Sequence, residues 1–171
     1  MDNIDNNLSE NIKYVLLNGG NRFRPSLVLN WCNATRGKIE DALPLAAALE
    51  CIHTMSLIQD DLPCMDNALE RRNKPCLHLY TNEANAILTS DYLLQLSFSF
   101  ILSSHLNDKQ KLLALTVLNN AILNTIDGQS KDLNNNIKSI DEYIHIYANK
   151  TGALLAAAAK LGTIASEQYD L

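Results

Sequence analysis

Aromatic residues are scarce in this chain of 171 residues, where Phe, Trp and Tyr together make up 6% of the sequence. Strands are enriched in aromatic and β-branched residues, whereas Leu and Ala, both abundant here, favour helices. The hydrophobic share of 47% is nevertheless large enough to build a sizeable core. The composition therefore favours a helical domain and argues against a sheet-based one.

Paired cysteines are also missing, because Cys32, Cys51, Cys64 and Cys76 include no CxxC pair. Structural zinc sites usually draw two of their ligands from such a pair, so a zinc site is not expected. Without a disulfide pattern, reduced thiols in a cytoplasmic protein are the simplest interpretation.

Basic residues are outnumbered by acidic ones, 14 against 19, which gives a net charge of −5. This balance argues against nucleic-acid binding, although local Arg clusters and bound cations still allow an anionic substrate. No apolar run approaches the roughly 20 residues needed to cross a bilayer, and the polar segment Met1–Glu10 does not resemble a signal peptide. We therefore expect no nucleic-acid partner and no membrane span.

What the chain does contain is helical periodicity along most of its length. In order, the predicted helices are Leu8 to Gly19-Gly20, Pro25 (at the first helical position) to near Gly37, Asp41 to the acidic pair Asp60-Asp61, Glu83 to about Ser104, Asp108 to the break at Asn134–Lys138, and Ser139 to Ala165. The third helix is apolar on nearly every side from Leu45 to Ile58, so it is expected to be buried.

Several predicted helices begin at good capping residues. Asp41, Asn82 and Asp108 are the expected N-caps, and Ser139 followed by Glu142 has the spacing of a capping box. The helix after Asp108 carries an apolar stripe of Leu112, Leu115, Leu118 and Ile122.

The stretch Leu62–Thr81 contains prolines and charges and is expected to be a loop. No segment predicts a strand, an internal repeat or a linker. The sequence thus predicts an all-α fold, with antiparallel helices in one bundle and one domain over residues 1–171.

The segment Asp60-Asp61-Leu62-Pro63-Cys64-Met65-Asp66, followed by Arg71-Arg72, is the strongest chemical signal. Carboxylates this close repel each other unless a cation or an Arg neutralises them. Oxygen ligands without His or Cys suit magnesium, and two adjacent Arg supply forked donors for phosphate. Taken alone, the segment is also compatible with a solvated acidic loop at a helix end.

A second segment, Gly19-Gly20-Asn21-Arg22-Phe23-Arg24-Pro25, combines two glycines, two Arg and the start of a helix. Glycines let the backbone approach a ligand, and a helix N-terminus favours an anion. By itself this segment is better explained as an ordinary connection between helices with surface Arg.

Together the two segments resemble the trans-polyprenyl diphosphate synthase family, which includes farnesyl and geranylgeranyl diphosphate synthases. The similarity continues through further motifs in the family's order: Glu50–Ile58, Arg71–Pro75, Glu83–Leu88 with Asp91, Gly128-Gln129 with Asp132, and Lys150–Ala153. It covers about Leu8 to Ala165. The resemblance implies the helical bundle of the isoprenoid synthases and a prenyltransferase activity.

The resemblance also implies roles for individual residues. The residues implied to bind Mg²⁺ are Asp60, Asp66 and, completing the cluster, Asp61. Those implied to hold the allylic diphosphate are Arg71 and Lys150. Those implied to hold isopentenyl diphosphate are Arg24, His53 and Arg72. Those implied to line the place where the allylic cation forms are Gln129 and Thr151. Breaking the allylic carbon–oxygen bond leaves a diphosphate anion and an allylic cation, so catalysis needs charge stabilisation rather than a nucleophile.

Simpler explanations remain open for single residues. His53, on an apolar helix, could be a hydrogen-bonded core histidine. Lys150 could extend its ammonium to solvent past Tyr147 and Leu154. Gln129 and Asp132, three residues apart, could be an ordinary surface pair.

The chain departs from the family at Asn21, where Lys is usual, at Gln59, where His is usual, and at Asn73 and Asp127, where Gly is usual. Asn21 loses a positive charge that would face diphosphate. At Met55 and Ser56, beneath the Asp pair, the chain lacks a bulky ring, which slightly favours geranylgeranyl over farnesyl diphosphate as the product.

The family's second Asp-rich motif, DDxxD, does not occur before Leu171. We therefore expect a bundle that is incomplete at the C-terminus, with little or no synthase activity in the isolated chain. A homodimer, or a heterodimer with a synthase subunit, is expected. The alternative function is a catalytically inactive remnant or a regulatory subunit that pairs with a full-length synthase.

Overall fold

The computed structural model describes residues 6–134 and 137–167. Its elements are α1 (Asn6–Leu17), α2 (Phe23–Ala34), α3 (Ile39–Asp60), β1 (Glu70–Arg71), β2 (Lys74–Pro75), α4 (Leu77–Tyr80), α5 (Glu83–Leu102), α6 (Asp108–Leu133), α7 (Ile140–Tyr147), a π-helical segment (Ala148–Gly152) and α8 (Ala153–Ala165). The all-α prediction is confirmed. The predicted break at Asn134–Lys138 includes Asn135 and Asn136, which lie outside the described residues.

A small β-hairpin and the short helix α4 occupy the stretch that was predicted to be a loop. β1 and β2 pair antiparallel, with Glu70 opposite Pro75 and Arg71 opposite Lys74. The two turn residues between them, Arg72 and Asn73, have φ of 55° and 62°, as a type I′ hairpin turn requires. The expectation of no strand was wrong because two-residue strands are too short to show an alternating pattern.

Two of the predicted N-caps are confirmed. The Asn82 side chain accepts a hydrogen bond from the backbone N–H of Asn85 at 2.8 Å, and Ser139 Oγ accepts one from Glu142 N–H at 3.1 Å. The Glu142 carboxylate in turn accepts from the N–H of Lys138 at 2.8 Å. These bonds satisfy donors that a helix start leaves without partners.

Three other helix starts differ from the prediction. α6 is capped by Asn107 rather than Asp108, because Asn107 and Gln110 form both bonds of a capping box. Asp41 lies inside the first turn of α3, where its negative charge interacts favourably with the helix dipole. Pro25 is the third residue of α2 rather than the first. Pro is tolerated there because N–H groups in the first turn have no helical acceptor, so the N–H that Pro lacks is not missed.

The chain divides into two compact units, and the first comprises residues 1–21 and 51–97. Within it, α1 packs against the hairpin and α4. The Tyr14 hydroxyl donates to Pro75 O at 2.8 Å, and the Tyr14 and Tyr80 rings stack with centroids 3.9 Å apart. The hairpin is therefore held to α1 by both a hydrogen bond and a ring contact.

The second unit comprises residues 22–50 and 98–171. Here α8 packs against α2 and α6. Gly162 permits the close approach of α2, since a Cβ at that position would lie 2.6 Å from Trp31 Cβ. Gln110 ties α6 to α8 by donating to Ile164 O at 2.8 Å. One domain over residues 1–171 stays a prediction.

The buried faces of α3 and α6 decide two further predictions. Leu45, Leu49 and Ile52 on α3 are buried, as expected. On α6, Leu118 is buried, but Leu112 is 67% exposed, so the predicted stripe was wrong at its first position. The buried face of α6 instead includes Ala114 and Ala121 together with Leu118 and Ile122.

Helix α3 is long and apolar enough, by length and composition, to cross a membrane. The expectation that no segment reaches this size is therefore corrected. Of the apolar window of α3, 61% is buried inside the protein, and the core helix of a folded domain passes the same test. This is weak support for a membrane span.

Candidate functional site

The Asp61 carboxylate and the Arg71 guanidinium form a forked ion pair in the first unit. Arg71 Nε donates to Asp61 Oδ1 at 2.9 Å and to Oδ2 at 2.7 Å. Arg71 Nη2 donates to Oδ1 at 2.5 Å. These hydrogen bonds raise the pKa of Arg71, against the opposing effect of burial. Asp61 is 3% exposed, so the pair neutralises a carboxylate that would be costly to bury alone.

The Cys76 thiol is a further hydrogen-bond partner of the same carboxylate. It is buried at the end of the hairpin, just before α4. Burial raises the pKa of the Cys76 thiol to about 11, and a hydrogen bond to Asp61 contributes to the increase. The thiol therefore stays protonated and can donate. Sequence reasoning missed this contact, because Cys is only a weak donor and nothing in the motif singles it out.

Asp60 and Asp66 approach each other through a tight turn after α3. The backbone N–H of Asp66 donates to Asp60 O at 2.9 Å, and Asn67 donates to Leu62 O at 3.1 Å. Asn67 has a φ of 49°, which Asn tolerates better than most residues. The turn brings the backbones of the first and last Asp of the motif together.

These two carboxylates have the chemistry that magnesium prefers, since it is typically held by one or two carboxylates, water and substrate phosphate. Over residues 6–134 and 137–167, no group of three or more His, Cys, Asp or Glu converges in a metal-binding arrangement. Asp61, the third carboxylate of the motif, bonds to Arg71 instead. Asp60 and Asp66 thus fit magnesium by donor type, with phosphate oxygens and water supplying the other ligands.

Arg72 lies against the glycine pair that follows α1. Its Nη1 donates to Gly19 O at 2.8 Å, and a Cβ on Gly20 would lie 2.5 Å from its guanidinium carbon. Both glycines have positive φ, 89° and 100°, which other residues adopt only with strain. Arg72 and Gly19 are 53 residues apart in the sequence. Their hydrogen bond therefore joins the two segments that were predicted to bind diphosphate.

In the second unit, the Arg22 guanidinium pairs with the buried Glu50 carboxylate. Burial lowers the pKa of the half-buried Arg24, and the charge of Glu50 partly offsets this effect. Sequence reasoning selected Arg24 and gave Arg22 no role. A contact between residues 28 positions apart has no local signal that could have identified it.

Lys150 lies in the π-helical segment and bonds to α6. Its ammonium donates to Asp132 Oδ2 at 2.5 Å, and the two side chains are 22% and 23% exposed. Gly128, one turn before Asp132, packs so closely that a Cβ would lie 2.8 Å from Lys150 Cα. Short π-helical segments frequently occur at functional sites. Asp132 is therefore a partner of Lys150, and the pair lies partly buried.

Gln129, next to Gly128, has both amide atoms buried without a hydrogen-bond partner among the described residues. Buried polar groups are nearly always paired, so such an exception calls for an explanation. A bound substrate is one source of the missing partner. Thr151 is exposed, and His53 is half-buried on α3.

The structure brings together only some of the predicted site residues. The first unit contains His53, Asp60, Asp61, Asp66, Arg71 and Arg72. The second contains Arg24, Gln129, Lys150 and Thr151. The contacts within each unit are consistent with diphosphate binding, and the individual roles stay predictions.

Comparison with known proteins identifies the family. The model of the polyprenyl synthetase family matches residues 5–170. The chain is 43% identical over 155 residues to a farnesyl diphosphate synthase of Micrococcus luteus, covering 88% of this chain and 53% of that protein. It is 39% identical over 174 residues to the chloroplastic heterodimeric geranylgeranyl pyrophosphate synthase large subunit 1 of Arabidopsis thaliana, covering 95% and 47%.

Among solved structures, the fold is similar to a geranyltransferase of Legionella pneumophila, with a TM-score of 0.92 and 32% identity. The alignment covers 96% of this chain and 61% of that one. The chain thus spans about half the length of the curated relatives it matches. The resemblance recognised in the motifs is confirmed, and the chain belongs to the polyprenyl synthetase family.

Proposed function

We propose that this chain carries diphosphate-binding machinery of a prenyltransferase that joins isopentenyl diphosphate to an allylic diphosphate. The observation that carries the proposal is the contact of Arg72 with Gly19 and Gly20. It combines a guanidinium with a glycine turn whose backbone can approach a ligand. Membership of the polyprenyl synthetase family supports the same chemistry.

Asp60 and Asp66 would hold magnesium at the end of α3. When bound, the ion supplies positive charge that neutralises diphosphate oxygens. Asp61 contributes differently, because it orients the Arg71 guanidinium through the fork. The fork uses Nε and Nη2 of Arg71, so the Nη1 edge can face phosphate.

The resemblance to the family gives Arg71 and Lys150 each a role in binding an allylic diphosphate. Asp132 takes one of the three N–H donors of the Lys150 ammonium. A carboxylate partner restricts where the long Lys side chain can go, which lowers the entropy lost when it binds phosphate. Arg24, His53 and Arg72 would bind the diphosphate of isopentenyl diphosphate.

The reaction needs positive and negative charge to be stabilised in turn. Cleavage of the allylic carbon–oxygen bond releases diphosphate and leaves an allylic cation, and a cationic side chain such as that of Arg71 would stabilise the departing anion. The double bond of isopentenyl diphosphate attacks the cation, and the resulting cation loses a proton to the released diphosphate. Gln129 and Thr151 would present neutral polar groups to the allylic cation. Neither side chain is a strong nucleophile that would trap the cation.

The product is proposed to be farnesyl or geranylgeranyl diphosphate, since relatives named for both products are about equally similar. Met55, the residue expected to set the depth of the product cavity, is buried on α3. The active form is proposed to be a homodimer or a heterodimer with a synthase subunit, supported by the heterodimeric relative. Cys32, Cys51, Cys64 and Cys76 are free thiols, which supports a cytoplasmic location.

The test compares two lysines, each paired with an Asp of α6. Lys150→Met should weaken binding of dimethylallyl diphosphate in magnesium by roughly tenfold or more, as expected for a lost charged hydrogen bond. Lys131→Met, which removes the exposed partner of Asp127, should leave binding unchanged. Isothermal titration calorimetry measures both. Equal affinity of the two variants would refute the role of Lys150, and no binding by the unmodified chain would refute the proposed function.

A further inference from the structure

A second cation of the hairpin reaches the glycine turn. The Lys74 ammonium donates to Asn18 Oδ1 at 2.6 Å, and Asn18 directly precedes the glycine pair. Arg72 donates to the next residue, Gly19, at 2.8 Å. Two positive charges from one hairpin therefore contact consecutive residues of the same turn.

These two charges differ from that of Arg71 in the partners that residues 6–134 and 137–167 give them. Arg72 and Lys74 bond to a backbone carbonyl and a side-chain amide, which are both neutral. Among the described residues, no carboxylate forms an ion pair with either side chain, whereas Arg71 is paired with Asp61. Neutral acceptors orient a cation without cancelling its charge, so this part of the surface attracts anions.

The hairpin fixes where the Lys74 side chain begins. Lys74 lies directly opposite Arg71 in the strand pair, and cross-strand neighbours have Cβ atoms only about 5 Å apart. The turn between them has two residues with positive φ, which sets the register of the hairpin. Lys74 is thus held near both Arg71 and the glycine turn.

The turn itself supplies no lysine, because the residue after Gly20 is the neutral Asn21. We propose that Lys74 is a further binding residue for the diphosphate of isopentenyl diphosphate and supplies the charge that Asn21 lacks. This inference rests on the proposed function. It assigns to Lys74 a role that none of the motifs gives it.

The first experiment measures the affinity of isopentenyl diphosphate for the chain and its variants by isothermal titration calorimetry. Lys74→Met should weaken binding by roughly threefold to fivefold, the effect of one exposed charged contact. Lys74→Arg keeps the charge and should bind within about twofold of the unmodified chain. Lys13→Met, which removes an exposed lysine of α1 in the same unit, is the control and should bind normally.

A double-mutant cycle then tests whether Lys74 compensates for Asn21. Asn21→Lys restores a lysine in the turn, so Lys74→Met should cost less affinity in that background than in the natural one. Such non-additivity is expected only if the two positions act on the same ligand. Full additivity, or normal binding by Lys74→Met, would overturn the assignment.

A structural role for Lys74 predicts a different result. If the bond to Asn18 only held the hairpin in place, Lys74→Met would weaken dimethylallyl diphosphate binding as much as isopentenyl diphosphate binding, and that result would also overturn the assignment. Failure of the proposed function is distinguishable, because the unmodified chain would then bind neither diphosphate.

Discussion

The Asp61–Arg71 fork makes a quantitative prediction about stability. Replacing Asp61 with Asn keeps the shape of the side chain but removes the charge that balances Arg71. Breaking a buried ion pair costs about 3–5 kcal/mol. The Arg71 side chain is 36% exposed, so water can solvate part of the unpaired guanidinium, and we expect a loss of about 2 kcal/mol.

For a chain of this length, that loss lowers the melting temperature by about 4–8 °C. Thermal and urea unfolding followed by circular dichroism at 222 nm measures it. Asp127→Asn is the matched control, because its pair with Lys131 is exposed and its side chain is 50% accessible, so water takes over its role and the melting temperature should stay close to that of the unmodified chain. The reasoning is refuted if both variants lose the same stability, or if Asp61→Asn unfolds like the unmodified chain.

Three further predictions concern local geometry. Gly128→Ala should destabilise the chain by about 1–3 kcal/mol, because its Cβ would collide with the π-helical backbone. Gly152→Ala, whose Cβ would lie 4.0 Å from Tyr147 O, should be neutral or stabilising by up to about 1 kcal/mol, and urea unfolding distinguishes the two variants. Asn73→Val should cost about 1–3 kcal/mol, since a β-branched residue is strained at a φ of 62°, and a melting temperature within error of the unmodified chain would contradict this. Burial raises the pKa of the Cys32 thiol, so the contribution of the neutral thiol to stability is present below its ordinary pKa and is lost as pH rises through the raised pKa. Alkylation with iodoacetamide, followed by mass spectrometry, should therefore label the exposed Cys64 well before the buried Cys32, and equal labelling rates in the folded protein would be inconsistent with this burial.

The sequence predicted the helices well because their signals are local. Apolar spacing and glycine breaks located α1, and the capping positions Asn82 and Ser139 were correct. It failed where the decisive contact depends on three-dimensional neighbours. Asn107, rather than Asp108, caps α6 because it forms reciprocal hydrogen bonds with Gln110. The hairpin at residues 70–75 was too short to give a periodic signal.

The candidate site shows the same division. The motifs selected Asp61, Arg71 and Lys150 from residue type and order along the chain. They could not predict that Asp61 bonds to Arg71, or that Lys150 bonds to Asp132. Carboxylates and cations close in sequence have several possible partners, and only the packed backbone determines which pairs form.

One departure from the family pattern has a structural explanation. Asn73 stands where the resemblance has Gly, and its φ of 62° is in the left-handed region. Asn adopts this conformation more readily than other residues with a side chain. The hairpin that carries Arg71 and Arg72 is therefore preserved despite the substitution, which the sequence alone left undecided.

The most direct test of the account is the magnesium dependence of allylic diphosphate binding. Isothermal titration calorimetry with dimethylallyl diphosphate should show binding in magnesium that is lost in EDTA. The double variant Asp60→Asn/Asp66→Asn should lose that binding, whereas Asp108→Asn, an exposed Asp at the start of α6, should keep it. Equal binding with and without magnesium, or full binding by the double variant, would contradict the central claim that these carboxylates hold the metal for a diphosphate substrate.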